Sequence, residues 1–238
     1  VAKPKRRQTD PLAEATELRI VGGTFRGRKL RYDPLREGDE PVTRPMKHRV
    51  REAIFNLVGM EVKGLHAIDL FAGTGALGLE ALSRGAVHAT FIERHVPTAR
   101  IVEANIKSLA VEDRTTLLVT SAFLWGKRDL ANGEWGMRNG GEKAQSDSTS
   151  PSSPFPIQHS PLPWLVFCSP PFSFFVDRCD DMLELLSAIM KSAPADSIVV
   201  VESDERFDFQ LLPTSEQWDV RTYSPAVVGV WRNDDRNE

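Results

Sequence analysis

Cysteine is scarce in this chain: two residues in 238, Cys168 and Cys179, each beside an apolar stretch. That count offers neither a disulfide framework nor a zinc-ligand spacing, and it fits a reducing cytosol. No metal is expected. Long apolar runs are missing too. No stretch reaches the ~20 residues that span a bilayer. The basic start Lys3-Pro4-Lys5-Arg6-Arg7 is not followed by the apolar segment of a signal peptide. A cytoplasmic protein with no membrane partner is the expectation. A large net charge is also lacking, at −3 from 30 basic and 33 acidic residues, which taken alone argues against nucleic acid. The distribution reverses that judgement. Arg19, Arg26, Arg28, Lys29, Arg31, Arg44, Lys47, Arg49 and Arg51 crowd the first third. A local positive face is enough to attract a phosphate backbone even on a net acidic protein.

What is present is organised around residues 67–82, AIDLFAGTGALGLEAL, which read as a short apolar strand, a glycine turn and a helix. Gly73 and Gly75 permit backbone angles that a side chain would forbid and leave room for a ligand, while the helix start offers unpaired N–H groups. The spacing Gly73-x-Gly75-x-x-Gly78 also fits the dinucleotide fingerprint, whose turn receives a pyrophosphate. Asp69, at the strand end, weakens that reading, because a carboxylate suits a cationic or hydrogen-donating ligand better than a phosphate. S-adenosylmethionine offers an ammonium, a sulfonium and a ribose, and no phosphate. A second strand, Ala89-Thr90-Phe91-Ile92-Glu93, ends in a carboxylate able to accept hydrogen bonds from ribose hydroxyls.

Around this centre the chain alternates strand and helix. Strands are expected up to Leu70 and over 87–93, 115–119, 164–168 and 197–202, with helices over about 76–83 and 97–109 and through Met182, Leu185, Leu186 and Ile189. Such alternation implies a parallel sheet covered by helices. Residues 218–223 and 226–231 are two strands joined too closely for a parallel crossover, so an antiparallel edge closes the sheet. Before the sheet, Leu18 to Leu30 reads as a hairpin too short to stand alone, and Met46 to Val58 as a helix with an apolar stripe through Val50, Ile54, Phe55 and Val58. Arg51 is read on a different face from that stripe. The expected division is a flexible basic tail over 1–17, an RNA-facing extension over 18–63 and a catalytic domain over 64–238. Residues 132–163, rich in Gly, Ser, Gln and Pro, are read as a disordered insertion in that domain.

Ser169-Pro170-Pro171-Phe172 follows the strand after the insertion and therefore falls on the same carboxyl rim as the glycine turn. Two prolines stiffen the turn and remove backbone donors, leaving carbonyls free to face a ligand, and Phe172 can stack on a base. A carbonyl with a side-chain acceptor is what a planar exocyclic amine requires.

These residues carry a family likeness. The chain resembles the bacterial 16S ribosomal RNA guanine-N2 methyltransferase family in Arg19-Ile20-Val21-Gly22-Gly23 with Arg26-Gly27-Arg28-Lys29-Leu30, and in Arg44-Pro45 with Arg49 to Asn56. The likeness continues through Asp69 to Arg84, Glu93, Pro170-Pro171-Phe172 and Val201-Glu202-Ser203. It implies an α/β fold with the Rossmann-like sheet of S-adenosylmethionine-dependent methyltransferases, mostly parallel with an antiparallel edge strand, plus a small N-terminal hairpin and helix. It implies S-adenosylmethionine as cofactor, held by Asp69, Gly73, Gly75 and Glu93, with Phe71, Thr74, Ser121 and Ala122 completing that set. It further implies Ser169, Pro170, Pro171 and Phe172 at the reacting amine, and Arg44, Arg49, Arg51, Glu52 and Asn56 on the floor and RNA side of the cleft. Arg26, Arg28, Lys29, Arg44, Arg49 and Arg51 form the expected RNA-binding set. The partner is ribosomal RNA or a small-subunit assembly particle, and the chain is expected to act as a monomer. Three positions depart from the family: His48 stands where Asp is usual, and Ser121 and Ser169 each replace an Asp or Asn. Methylation of another amine, RNA binding without chemistry, and an NAD-dependent reaction are the alternatives.

Overall fold

The computed structural model describes residues 18–32, 36–37, 40–41, 48–130 and 162–234. The tail 1–17, Arg44 and the expected insertion, apart from its last two residues, lie outside them. The sheet has seven strands: β1 His66–Asp69, β2 His88–Ile92, β3 Thr115–Leu118, β4 Trp164–Cys168, β5 Ile198–Asp204, β6 Asp219–Tyr223 and β7 Ala226–Arg232. Their order is β3-β2-β1-β4-β5-β7-β6. All pairings among β1 to β5 are parallel, and β7 runs antiparallel to both β5 and β6. The expected antiparallel edge is therefore a pair of strands, with the last strand tucked inside its predecessor.

Alternation along the strands sends side chains to two cores. Ala67, Leu165, Phe167, Ile198, Val200, Val228 and Val230 join one cluster, and Ile68, Val166, Cys168, Val199, Val201 and Trp231 the other. Helices α1 His48–Val58, α2 Ala76–Ser83 and α3 Val96–Leu109 cover the first face. Helices α4 Ala122–Trp125 and α6 Cys179–Ser192 cover the second, with the short α5 Phe174–Asp177 leading into α6. Both faces of the central strands are thus covered, which is why those strands read as near-continuous apolar runs.

Helix α2 is buried along its whole length. Its Gly78 permits close helix-to-sheet packing, because a Cβ there would lie 2.4 Å from the Phe91 ring. Glu80 is fully buried and gathers the N-terminal segment. Its carboxylate accepts the amides of Val21 and Gly22 at 2.7 Å each and Arg84 Nε at 2.9 Å, and it faces Arg51 Nε at 3.6 Å. Arg51 is 0% exposed and also donates to the Arg19 carbonyl. The expectation that Arg51 faces RNA is thereby corrected. It lies three and four residues before Ile54 and Phe55, so it shares their stripe, and a buried carboxylate on the next helix makes that position tenable for a cation.

The expected hairpin is present as a short antiparallel pairing. One bridge, Arg19 to Lys29, and a few main-chain bonds hold the turn, and most of its anchoring comes from α2. Besides the two amides on Glu80, Thr24 N donates to the Ser83 carbonyl at 2.8 Å and Phe25 N to Ser83 Oγ at 2.9 Å. Removing the Glu80 carboxylate leaves a buried arginine and two main-chain donors unmatched. Glu80→Ala is expected to cost about 3–5 kcal/mol in chemical denaturation and to speed hydrogen exchange at Val21 and Gly22. A stability loss under about 1 kcal/mol, the scale of an exposed pair, would mean that the carboxylate is not the anchor.

Candidate cofactor and amine-binding rim

Strands β1 and β4 are adjacent and parallel, with Asp69 opposite Phe167, and the connections leave them toward opposite sides of the sheet. This is the switch point at which a doubly wound sheet opens a crevice at its carboxyl edge. The glycine turn after β1 and the Ser169 turn after β4 stand side by side there.

Within the glycine turn each of the three glycine amides has a defined partner. Gly73 N donates to Glu93 Oε2 at 2.9 Å, Gly75 N to the Ala72 carbonyl at 2.7 Å, and Gly78 N to Asp69 Oδ2 at 3.3 Å. The strand-end carboxylates singled out in the sequence thus meet across the turn. They occupy two glycine amides that a pyrophosphate would need, and their charge repels a phosphate. Gly73 has φ +54°, and a Cβ on it would meet only the Phe71 carbonyl, 3.9 Å away, so this side of the turn is open. Gly75 has φ +77° and instead faces Val102 and Phe91.

Asp69 is 1% exposed, and its Oδ1 has no hydrogen-bond partner among the described residues. Burial, reinforced by the Glu93 charge, pushes its pKa up to about 7 against the amide bonds of Gly78 and Phe71. Glu93 is half-buried and also accepts the His95 amide at 2.8 Å. A carboxylate has about four acceptor positions, so Glu93 keeps capacity for a ligand. An orphaned carboxylate oxygen, an open glycine and a carboxylate with spare lone pairs fit a ligand that brings hydrogen donors and positive charge. They fit S-adenosylmethionine better than a dinucleotide. Ser121, at the start of α4, follows β3 on the same rim, with the buried Ala122 next to it.

In the second turn, the Pro171 carbonyl accepts Phe174 N at 2.9 Å, while the Pro170 carbonyl has no donor among the described residues. Ser169 is half-buried and donates its hydroxyl to Glu202 Oε2; Phe172 is half-buried. The sequence reading placed Glu202 only within a matching stretch, without a role. Phe71, expected in the cofactor set, also belongs to an aromatic group on this rim whose other members had no expected role. Phe71, Phe123 and Phe174 lie about 6 Å apart by centroid, and Arg178 sits 3.9 Å over the Phe123 ring. Aromatic residues after three different strands were the signal available.

The basic set is not brought together. Arg26, Arg28 and Lys29 are exposed, but their loop docks on Ser83 and Ser108, at the carboxyl-terminal ends of α2 and α3. Along α2 the loop is about 12 Å from the glycine turn, whereas at α3 Asn105, three residues before Ser108, donates to the Thr74 carbonyl of that turn and holds the Arg31 backbone. Arg49, Glu52 and Asn56 are exposed on α1. Among the described residues no His, Cys, Asp and Glu cluster could hold a metal, and no helix is long and apolar enough to cross a membrane. Cys168 is buried, and its thiol pKa is pushed far up, which suits a packing residue rather than a nucleophile.

Residues 18–134 match the family model described as "Conserved hypothetical protein 95". The chain is 43% identical over 93 residues to the ribosomal RNA small subunit methyltransferase D of Escherichia coli K12, covering 39% of this chain and 44% of the relative. It is 40% identical over 92 residues to the Bacillus subtilis protein YlbH, covering 39% of this chain and 47% of that one. The matched part spans less than half the length of these two relatives. Among solved structures, Escherichia coli yhhF superposes with a TM-score of 0.64 at 24% identity, over 92% of this chain and 99% of that one. The fold is the Rossmann-like methyltransferase fold, as the sequence reading expected.

Asp69 supplies a pH test of this geometry. With a folded pKa near 7 against 3.8 unfolded, its contribution to stability is fully present below pH 3.8 and is lost as pH rises through about 7. His66, on the same strand, acts oppositely: burial first, then His88, hold its pKa near 4, so its contribution is present above pH 6.5 and lost on acidification. Comparing wild type with Asp69→Asn cancels the histidine. The variant's relative stability is expected to rise between pH 4 and 7 by up to roughly 4 kcal/mol and to be flat above, measured by denaturant unfolding of the ligand-free protein. A pH-independent difference would mean that Asp69 ionises normally.

Proposed function

We propose that the chain transfers a methyl group from S-adenosylmethionine to the exocyclic N2 amine of a guanine in small-subunit ribosomal RNA. The observation that carries this reading is the pairing at the switch point. A donor-seeking glycine turn on β1 lies beside a turn on β4 that has an unclaimed carbonyl at Pro170 and a hydroxyl at Ser169. The similarity to ribosomal RNA small subunit methyltransferase D of Escherichia coli supports the choice of RNA.

Bound there, the cofactor would supply an electrophilic methyl group to the amine lone pair, with the C–S electron pair left on sulfur and one proton released from nitrogen. The protein's part is placement. Glu93 holds ribose hydroxyls while keeping the Gly73 amide, and the Asp69 oxygen accepts from the cationic end. Ser121 and Ala122 border the adenine, beside Phe71 and Thr74. Ser169 and the Pro170 carbonyl take the two amine hydrogens, which turns the nitrogen lone pair toward the methyl carbon, and Phe172 stacks on the base. Most of the acceleration comes from orientation and proximity.

RNA would be held over a surface that includes the exposed Arg26, Arg28 and Lys29, whose segment reaches the glycine turn through Asn105. Arg49 adds to that surface, with Arg44 expected to join it. The RNA is taken as substrate either free or in an assembly particle, by a single copy of the chain. Methylation of another amine is the second reading, since the Ser169 turn recognises an amine more generally than it recognises guanine.

Incubation with labelled S-adenosylmethionine and unmodified small-subunit RNA or assembly particles, followed by nucleoside identification, tests the activity. Labelled N2-methylguanosine is expected, and label on another nucleoside would overturn the choice of amine. For the cofactor site, Glu93→Gln keeps an acceptor for Gly73 but loses charge, so S-adenosylmethionine affinity is expected to fall about tenfold in calorimetric titration. Equal affinities would remove Glu93 from the site. For the RNA surface, replacing Arg26, Arg28 and Lys29 by Gln is expected to reduce the salt slope of RNA binding by about 0.7–0.9 per lost phosphate contact, with cofactor affinity unchanged. An unaltered slope would place the RNA on another surface.

A further inference from the structure

We propose that Glu202 is a positioning residue that fixes the polarity of the amine acceptor, by holding the Ser169 hydroxyl proton so that only lone pairs face the substrate. The proposal rests on reading the rim as an amine-binding site. Cys168 and Val201 are register partners on β4 and β5, so Ser169, just past the end of β4, stands beside Glu202 within β5. Ser169 Oγ donates to Glu202 Oε2, and Glu202 is 5% exposed.

The need for such a partner follows from hydroxyl chemistry. A serine hydroxyl carries one donor and two acceptor lone pairs and rotates to suit its surroundings. At an amine that must attack through its lone pair, a donating hydroxyl has the wrong polarity, since it would bind the electrons the reaction uses. Asp has only acceptors when ionised and Asn a carbonyl oxygen, and these are the residues that the family resemblance leads one to expect at position 169. Serine alone is ambiguous. A buried carboxylate on the neighbouring strand removes the ambiguity by taking the one proton, and its charge makes the oxygen a stronger acceptor. Burial raises the Glu202 pKa while the Ser169 bond opposes that rise, so the hydroxyl helps keep its own partner ionised. Glu202 need not touch the substrate, and no bond to it forms or breaks.

The measurement is the binding ratio of guanosine to inosine, which lacks the exocyclic amine, with S-adenosylhomocysteine bound. It is paired with single-turnover methylation of small-subunit RNA at saturating cofactor and RNA. Wild type is expected to prefer guanosine by roughly thirtyfold, the worth of the two hydrogen bonds to Ser169 and the Pro170 carbonyl. Glu202→Ala is expected to lose the Ser169 share of that ratio, roughly fivefold, and to slow transfer at least tenfold, with inosine and S-adenosylhomocysteine affinities unchanged. Adding Ser169→Asp, an acceptor-only group that needs no partner, is expected to restore both, which a merely structural role for Glu202 would not allow. If Glu202→Ala loses its cooperative melt, Glu202→Gln keeps the shape and is expected to lower the ratio in part. An unchanged ratio in a folded Glu202 variant, a double variant no better than Glu202→Ala, or a wild type without the guanosine preference overturns the proposal. A wild type that shows the preference and its loss in Glu202→Ala, yet transfers nothing to small-subunit RNA, supports the Ser169–Glu202 pair and overturns the choice of RNA substrate.

Discussion

Burying α2 on every side is the constraint on which the rest of the molecule depends. A helix of eight residues whose side chains are all buried needs each polar group matched from its neighbours, and two carboxylates do much of this. Asp69 takes an amide near the helix start, and Glu80 takes two amides of the N-terminal segment and faces Arg51. One end of α2 thereby fixes the glycine turn and the other end fixes the N-terminal extension. The extension is part of the same core: Leu18, Ile20, Leu30, Val50, Ile54 and Phe55 belong to the cluster that contains Leu79 and Phe91. Anything that disturbs Glu80 is therefore transmitted to a segment 58 or 59 residues earlier in the chain.

The carboxyl rim follows from the same packing. Gly78 lets α2 lie close on Phe91, and the turn before it is drawn tight enough for Glu93 to reach the Gly73 amide. The result is a turn rich in acceptors where a dinucleotide site would present donors. On the neighbouring strand the proline turn presents acceptors as well, the Pro170 carbonyl and, through Glu202, the Ser169 oxygen. Both halves of the crevice are thus suited to ligands that donate, a ribose and an ammonium on one side and an exocyclic amine on the other.

Much of this was legible in the sequence, and what was not has a common cause. Strand and helix alternation could be read because each element's period is local, and α2 falls on the residues expected for it. The glycine turn and Glu93 were legible because strand ends on a parallel sheet share one edge. Arg51 was misread because its place depends on Glu80, 29 residues later, on an element whose docking the sequence does not print. The role of Glu202 needed the register between β4 and β5. The basic loop was rightly noted as exposed charge, but which end of α2 receives it is set by Ser83, and nothing local to Arg26 or Arg28 reveals that.

Asp69 carries the balance between stability and ligand binding furthest. A carboxylate buried to 1%, with one oxygen lacking a partner, is an expensive residue for a fold to keep at neutral pH. An asparagine could accept the Gly78 amide without ionising, so helix capping alone does not call for an acid. What the acid adds is charge, and charge is useful there only to something positive arriving at the turn. The raised pKa measures how unfavourable that charge is while the turn is alone. A cationic ligand reverses the preference by giving Oδ1 its missing partner, so part of its binding energy goes to ionising Asp69, and the ligand should bind more tightly above the carboxyl's pKa than below it. The cost of ionising Asp69 and the proposed preference of the turn for a cation are thus two consequences of one buried carboxylate.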